Sequence, residues 1–453
     1  MDTRHWQHAR QSRDHRFDGL FFIAVKSTGI YCRPICPAPT AKEHNVEYYQ
    51  YAHSAAQAGF RPCIRCRPDS APDSSAWQGV KTTALRAKQL LDSNFSEPQS
   101  CEQLAERLGV TSRYLRRLFS QHFGISITQY RIFNQCHFAK RLLQETSLPI
   151  ADIAFASGFN SIRRFNDAFL QQLHICPSKM RTSVKPSEST IKLKLPFRPP
   201  YNWQALQQFF AKRLIAPIEW LTDTSYGRSF SNNHCQGQFT VTFVEDKHHF
   251  LVAIDINEPR YLHPIVTNIR RILDLDADTT LIEQHLSTHI HAAFPLTHGL
   301  RLPGIWSTFE AGIRAVLGQQ VSVTAAHNLV EQLVHHLGKT NNGRVYFPTP
   351  EAVAACELDF FKMPQARKNA LRNLANFCLQ QPDCDDLEQW LALKGIGPWT
   401  VNYAKLRGQS QPDILLDGDL GIKKVQAKTA DFDSDGCSPF RSYLTFQLWQ
   451  QLV

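Results

Sequence analysis

The chain has 453 residues, roughly three times the length of a typical domain, so about three folding units are expected. Residues 1–30 are polar and charged, unlike a signal peptide, and no apolar stretch is long enough to cross a bilayer. Its 12 cysteines are mostly scattered singly, which favours reduced thiols over disulfides. We therefore expect a soluble cytoplasmic protein with no membrane partner.

The net charge of +10 is distributed unevenly along the chain. Residues 1–183 hold 24 basic and 14 acidic side chains, whereas residues 184–453 hold 26 of each. A local basic excess is typical of surfaces that bind phosphate backbones, although a general basic surface would give the same sum.

Composition also divides the chain. Residues 68–78 and 182–190 are short stretches rich in Ser, Pro and Asp with no apolar period, so we interpret them as linkers around a helical segment. Strand-like and helical patterns alternate over residues 191–282, and the pattern is almost entirely helical from about residue 305. The expected fold class is multidomain α+β.

Four cysteines near the N-terminus have the spacing of a metal site. A C-x3-C pair is followed, 26 residues later, by a C-x2-C pair, and this pattern is typical of tetrahedral Zn²⁺ with four thiolates. Two disulfides or four free buried thiols are the alternatives. A zinc-bound thiolate remains a nucleophile if it is exposed, and Arg33 and Arg67 are among the arginines that flank the cluster. The cluster consists of Cys32, Cys36, Cys63 and Cys66.

The sequence around these cysteines, GIYCRPICPAP and GFRPCIRCRPD, resembles the N-terminal domain of the Ada family. The resemblance predicts a small zinc-bound α/β domain over residues 1–75. It implies that Cys32 accepts a methyl group irreversibly from a methylated DNA phosphotriester while the four cysteines hold Zn²⁺. It also implies that methylation strengthens attraction to DNA by removing a negative charge from the zinc centre. Because Arg33 and Arg67 flank the cluster, we expect them to contact DNA.

Residues 100–124 predict a helix-turn-helix, with a turn at Gly109. On the second helix Arg113, Arg116 and Arg117 are expected to point outward, where they would contact DNA or form a solvated basic face. The residues expected in the core are Leu104, Ala105, Leu108, Leu115, Leu118 and Phe119.

Residues 150–169 repeat the pattern, with Arg163, Arg164 and Asn166 outward. The doubled unit, with a long helix around residues 128–144 and the closing CPSKMR, resembles the AraC/XylS family over an all-α domain at residues 84–182. That resemblance implies two recognition helices in successive major grooves, about 34 Å apart. It also implies promoter DNA and RNA polymerase as partners.

Residues 393–424 carry the strongest chemical signal. The hairpin of Gly395 and Gly397 opens a helix, so its backbone N–H groups can approach a DNA phosphate closely. Asp419 follows 22 residues after Gly397, and a carboxylate there could stabilise the sugar cation formed when a base departs. Asp417 is the competing candidate. Together these features predict a DNA glycosylase.

The C-terminal half, through RLPGIWSTFEAGIRAVLGQQVSV and the hairpin to PFRSYLTFQLW, resembles the AlkA-type 3-methyladenine glycosylases. The resemblance predicts a small mixed antiparallel-sheet domain at residues 190–290 and an all-α helix-hairpin-helix domain at residues 291–453. It makes Asp419 catalytic and gives Gln320 the place of the wedge that fills the gap left by a flipped base. It places Trp399, Tyr403 and Trp449 around the base pocket, whereas each alone could be a core aromatic.

Lyase members of the helix-hairpin-helix superfamily carry a lysine where this chain has Trp399, so we expect a monofunctional glycosylase that uses water to release alkylated purines from double-stranded DNA. No Pro-Cys-His-Arg motif is present, which predicts no alkylguanine transfer. An alternative hypothesis is a methylation-sensing transcription factor with an inactive glycosylase domain.

Overall fold

The structure is a computed structural model that describes residues 3–13, 17–69, 80–96, 99–181, 190–232, 234–290, 293–381, 385–429 and 432–452. The chain forms two compact units, Met1–Ile132 and Phe133–Val453. Their boundary falls within the segment 84–182 that we expected to be one domain. Most of the two predicted linkers, residues 68–78 and 182–190, lies outside the described residues.

The first unit begins with a small sheet. Its strands are β1 (Phe22–Val25), β2 (Ile30–Cys32), β3 (Val46–Tyr49) and β4 (Arg61–Pro62), and its helices are α1 (Thr3–Ser12) and α2 (Ala52–Gln57). The strand order is β3-β1-β2-β4, with β2 and β4 parallel and the other pairs antiparallel. Because β2 ends at Cys32 and Cys63 follows β4 directly, this parallel pairing brings the two cysteine pairs together. The small α/β fold is as predicted.

A helical segment completes the first unit. It contains α3 (Val80–Asn94), α4 (Cys101–Arg107), α5 (Ser112–Phe123) and the start of α6 (Ile127–Glu145). The turn between α4 and α5 has Gly109 at φ +66°, and the Thr111 side chain caps α5. Of the predicted core residues, Leu108 is half-buried and the other five are buried. The helix-turn-helix prediction is therefore confirmed in its geometry.

The second unit opens with the rest of α6, followed by α7 (Ile150–Ala156), α8 (Ile162–Leu173) and α9 (Pro177–Met180). Ser161 caps α8 by accepting a hydrogen bond from the backbone N–H of Arg164 at 3.3 Å. Phe165 and Phe169 are fully buried on the inner face of α8. This segment is the second helix-turn-helix.

A five-stranded antiparallel sheet follows, in the order β5-β9-β8-β7-β6. Alternating burial along β5 gives it one buried face. The strands are β5 (Ile191–Pro196), β6 (Glu219–Leu221), β7 (Ser225–Ser231), β8 (Gln236–Val244) and β9 (His249–Ile256), and the helices of this part are α10 (Trp203–Ala211), α11 (Leu262–Ile272) and α12 (Thr279–Ile290). β5 forms one edge of the sheet.

The remaining part is mainly helical. Its helices are α13 (Thr308–Gly318), α14 (Val323–Leu337), α15 (Pro350–Ala355), α16 (Gln365–Gln380), α17 (Pro398–Gly408), α18 (Leu420–Gln426) and α19 (Arg441–Gln450). The expectation of an all-α domain needs one correction, because a hairpin of β10 (Lys339–Asn341) and β11 (Arg344–Tyr346) lies between α14 and α15. Its turn residues Asn342 and Gly343 have φ +49° and +73°. Among the described residues, no helix has the length and apolarity needed to cross a membrane.

A buried ionic network joins the sheet to the helices. Arg228 on β7 donates to Glu310 on α13 at 2.9 Å, and Arg314 on α13 lies 3.2 Å from Glu219 on β6. Glu310 and Arg228 are only 1% and 2% exposed. Since each charge is matched within a region that excludes water, removing one partner would leave the others unpaired. The network fixes the sheet against α13, which packs on α17.

Candidate active site and zinc centre

The predicted Gly-X-Gly hairpin is present at the start of α17. Gly395 has φ +93°, and a Cβ built there would lie 2.7 Å from the Cβ of Ala370, so only glycine fits. Gly397 caps α17, and a Cβ built there meets nothing within 4 Å. The Gln319 amide donates to the Gly395 carbonyl at 3.2 Å and to Thr400 at 3.1 Å. Gln319 thus fixes one side of the hairpin, and the space beside Gly397 is open.

Asp419 is the N-cap residue of α18. Its Oδ1 accepts hydrogen bonds from the backbone N–H groups of Gly421 at 2.9 Å and Ile422 at 3.2 Å, and Trp449 Nε1 donates to the same oxygen at 3.3 Å. Oδ2 makes no hydrogen bond to any residue that the structure describes. Asp417 is exposed. The Asp419 carboxylate is therefore fixed through one oxygen while the other remains available.

Gly397 and Asp419 line one cavity of about 1210 Å³. Trp399 and Tyr403 stack on one another in its wall, with ring centroids 5.4 Å apart and an angle of 28° between the ring planes. The predicted residues that line the cavity are Gly397, Trp399, Tyr403, Asp419, Trp449 and Gln320. The structure thus brings together residues separated by up to 129 positions in the sequence.

The same cavity is also lined by Phe209, Arg213 and Arg407, which we did not predict. The ring of Phe209 on α10 is 6.3 Å from that of Trp449, at an angle of 25°. The guanidinium carbons of Arg213 and Arg407 lie 3.9 Å and 4.7 Å from the Phe209 ring centroid. Burial lowers the pKa of Arg213 to about 10. Arg407 could have been found from sequence, because it lies one further helical step of four residues after Trp399 and Tyr403.

Gln320 lies in the turn between α13 and α14, where the predicted wedge should be. Its φ of +57° is unusual for a residue with a side chain, and it is exposed. Val321 and Val323 beside it are 37% and 48% exposed. The turn therefore presents polar and apolar side chains to solvent at the cavity rim.

The four predicted cysteine ligands form one cluster. Their sulfur atoms all lie within 4.8 Å of one another, as four ligands of a single ion would. Cys32 is half-buried, whereas Cys36, Cys63 and Cys66 are buried. The donor set fits Zn²⁺, with Cys32 the most accessible ligand.

The prediction that Arg33 contacts DNA is not supported by its position. Arg33 is 3% exposed, and its guanidinium donates to Asp18 at 2.8 Å and to the Cys66 carbonyl at 3.1 Å. Such a buried, paired guanidinium stabilises the loop that holds Cys66 and is not free to bind a phosphate. Arg67, in contrast, is exposed, with φ +43°.

The arginines of both helix-turn-helix segments are exposed as predicted. On α5 these are Arg113, Arg116 and Arg117, of which Arg116 pairs with Glu102 at 2.7 Å. On α8 they are Arg163 and Arg164. An exposed salt bridge contributes little to stability, so Arg116 can exchange Glu102 for a phosphate at low cost.

Comparison with known proteins accounts for this order of parts. Family models match for the metal binding domain of Ada at residues 5–69, a helix-turn-helix domain at 104–183 and the AlkA N-terminal domain at 192–307. The probable bifunctional transcriptional activator/DNA repair enzyme AlkA of Mycobacterium tuberculosis is 32% identical over 98% of this chain and 95% of its own length. This chain belongs to the family of that AlkA protein.

Two further relatives match separate portions of this AlkA-family chain. DNA-3-methyladenine glycosylase 2 of Escherichia coli is 32% identical over 56% of this chain and 95% of its own length. The bifunctional transcriptional activator/DNA repair enzyme Ada of Escherichia coli is 38% identical over 28% of this chain and 34% of its own length. The chain therefore combines Ada-type and AlkA-type parts, and the predicted resemblances are confirmed.

Proposed function

We propose that this chain releases alkylated purines from double-stranded DNA by hydrolysis of the N-glycosidic bond, and that Asp419 is the catalytic carboxylate. The observation that carries the proposal is the Asp419 carboxylate, which is held by three hydrogen bonds on the wall of a cavity lined by Trp399, Tyr403 and Trp449. A cavity of about 1210 Å³ has room for a flipped purine nucleotide.

In the proposed reaction the bond between C1′ and the base nitrogen breaks, and its electron pair leaves with the base. A base such as 3-methyladenine is cationic before cleavage and neutral afterwards, so little acid catalysis is needed. The positive charge passes to the sugar, where the Asp419 carboxylate stabilises it. Water then adds to C1′, and its proton passes to Asp419 or to solvent.

The aromatic side chains supply recognition. The stacked pair of Trp399 and Tyr403 offers electron-rich faces to a cationic ring, and Trp449 also orients Asp419 through its indole N–H. Gln320 fills the gap left in the duplex and can hydrogen-bond to the base that lost its partner. The hairpin at Gly395 and Gly397 binds the phosphate backbone without reading sequence.

The residue at position 399 also bears on whether the DNA strand is cleaved after the base leaves. Because no amine occupies this position, no Schiff base forms with the sugar there, and the product is an intact strand with an abasic site.

A second activity is proposed for the zinc centre, on the grounds that Cys32 is its most accessible ligand. The Cys32 thiolate attacks the methyl carbon of a methylated phosphotriester, so a sulfur–carbon bond forms and a carbon–oxygen bond breaks. The electron pair goes to the phosphate oxygen, which restores the phosphodiester anion. Zn²⁺ bound by the four cysteines keeps the thiolate deprotonated.

The exposed arginines of α5 and α8 support duplex binding, and the family's transcriptional role makes promoter DNA and RNA polymerase the proposed partners. We propose a cytoplasmic location, since every cysteine that the structure describes is free.

Base release from a methylated duplex tests the main proposal. The purified chain should release 3-methyladenine and leave the strand unbroken until alkali is added. Lack of release by the wild-type chain would favour the alternative of a transcription factor with an inactive glycosylase domain. Methyl transfer is tested separately, by incorporation of radiolabelled methyl groups into the wild-type chain and into Cys32→Ala.

A further inference from the structure

The second helix-turn-helix packs directly on the sheet of the glycosylase part. β5 is an edge strand, so the outward N–H and C=O groups of Lys194 have no neighbouring strand to pair with. The Lys194 N–H donates to the Glu145 carboxylate at 2.8 Å, and the Arg141 guanidinium donates to the Lys194 carbonyl. Both side chains belong to α6, so the helix covers the open edge of the sheet.

Two further contacts extend this interface. Phe138, one helical turn before Arg141, packs edge-on against His263 of α11, with ring centroids 5.1 Å apart. Phe138 and His263 are 8% and 5% exposed, so water is excluded from the contact. In addition, α7 packs against the short helical turn Pro259–Tyr261.

The geometry of α6 explains why these contacts act together. Phe138, Arg141 and Glu145 are spaced by three and four residues, which places them on one face of the helix. Arg141 and Glu145 also pair with each other at 3.4 Å, and this pairing fixes the guanidinium and the carboxylate beside Lys194. Charge-assisted hydrogen bonds to backbone groups are stronger than neutral ones. The helix is therefore fixed to the sheet by both polar and apolar contacts.

Charge indicates what this docked segment contributes. Residues 133–181 hold six basic and three acidic side chains, whereas residues 184–453 hold 26 of each. Arg163 and Arg164 are exposed at the start of α8, away from the buried Phe165 and Phe169. A docked segment with net positive charge can add phosphate contacts to a catalytic part that has no net charge of its own.

We propose that the second helix-turn-helix is a fixed DNA-docking arm of the glycosylase, in which Arg163 and Arg164 bind backbone phosphates of the duplex from which the base is released. This inference rests on the proposed glycosylase function for its role in base release. The docking itself rests on the contacts of Arg141, Glu145 and Phe138. A fixed arm costs less ordering entropy on binding than one joined only through a flexible tether.

The test compares three double variants of the full chain, in base release and in duplex binding by fluorescence anisotropy, between 50 and 200 mM salt. Arg163→Ala with Arg164→Ala removes the arm's phosphate contacts. Arg141→Ala with Glu145→Ala loosens the docking, and faster hydrogen exchange at the Lys194 amide shows that it has done so. Lys247→Ala with Lys339→Ala is the charge-matched control, because both lysines are exposed and lie outside the arm.

Loss of two phosphate contacts should reduce the slope of log affinity against log salt by about 2, so affinity would fall about tenfold less across this salt range. The Arg163/Arg164 variant should show that change and a raised KM with wild-type kcat. The docking variant should also have a raised KM, and a wild-type kcat would show that its fold is intact. The control should match the wild type.

Two results would overturn the proposal. One is a wild-type salt slope in the Arg163/Arg164 variant. The other is wild-type affinity in a docking variant whose Lys194 amide exchanges rapidly. Absence of base release from the wild-type chain would refute the glycosylase function instead, and the anisotropy data would still decide whether the docked arm binds phosphate.

Discussion

Asp419→Asn is the sharpest perturbation of the proposed site, because it removes a charge and keeps a side chain of the same shape. Asn Oδ1 can accept the same hydrogen bonds from Gly421, Ile422 and Trp449. A carboxylate about 4 Å from a sugar cation, at an effective dielectric constant of about 20, stabilises it by about 4 kcal/mol. Loss of that term should slow base release roughly a thousandfold.

The assay is single-turnover release of 3-methyladenine from a methylated duplex, with enzyme in excess so that binding does not limit the rate. Because the helix cap is retained, the thermal midpoint of Asp419→Asn should match the wild type, whereas Asp419→Ala should lose about 1 kcal/mol of stability. Asp417→Asn is the matched control on an exposed neighbour. Full activity in Asp419→Asn, or an equal loss in Asp417→Asn, would refute the assignment.

Four further predictions concern other parts of the chain. Cys32→Ala should take up no radiolabelled methyl group from methylated DNA. Glu310→Ala should lower the free energy of unfolding in urea by about 3–5 kcal/mol, because buried arginines lose their partner, whereas exposed Arg260→Ala should change it by less than about 0.5 kcal/mol. Burial lowers the pKa of His263 to about 4. As pH falls below about 6.5 the unfolded chain therefore binds a proton that the folded chain does not, and up to roughly 3 kcal/mol of stability should be lost between pH 6.5 and 4. His263→Leu should lack this loss. Borohydride added during turnover should trap no covalent complex with DNA, although Lys424 lines the cavity; a trapped complex would show lyase chemistry.

The helical part of the site follows from local spacing. Trp399, Tyr403 and Arg407 recur every four residues, so any helix over this segment places them on one face. Asp419, expected as the carboxylate near the sugar, is the N-cap residue of α18 and also lines the cavity. These positions depend on contacts within about 30 residues, which a sequence pattern can represent.

Other features depend on contacts that the pattern does not contain. Phe209 on α10 and Arg213, just after the end of that helix, reach the cavity, and the sequence around them is that of an ordinary amphipathic helix. Arg33 was expected at a phosphate because it lies beside Cys32, but Asp18, 15 residues earlier, holds it in the interior. The hairpin at Asn342 and Gly343 is different, because Asn-Gly is itself a hairpin signal that the helical context concealed.

The charges around the cavity give the proposed reaction a direction. Arg213 and Arg407 lie against Phe209 in the wall, and Lys212, Arg314 and Lys424 also line the cavity. Asp419 is the one acid among the described residues that line it. Before cleavage the positive charge is on the base, where these cationic side chains oppose it and the aromatic faces attract it. As the bond breaks, that charge moves to the sugar, toward Asp419. The repulsion is relieved and the attraction grows along the same coordinate, so the site favours the transition state over the bound substrate.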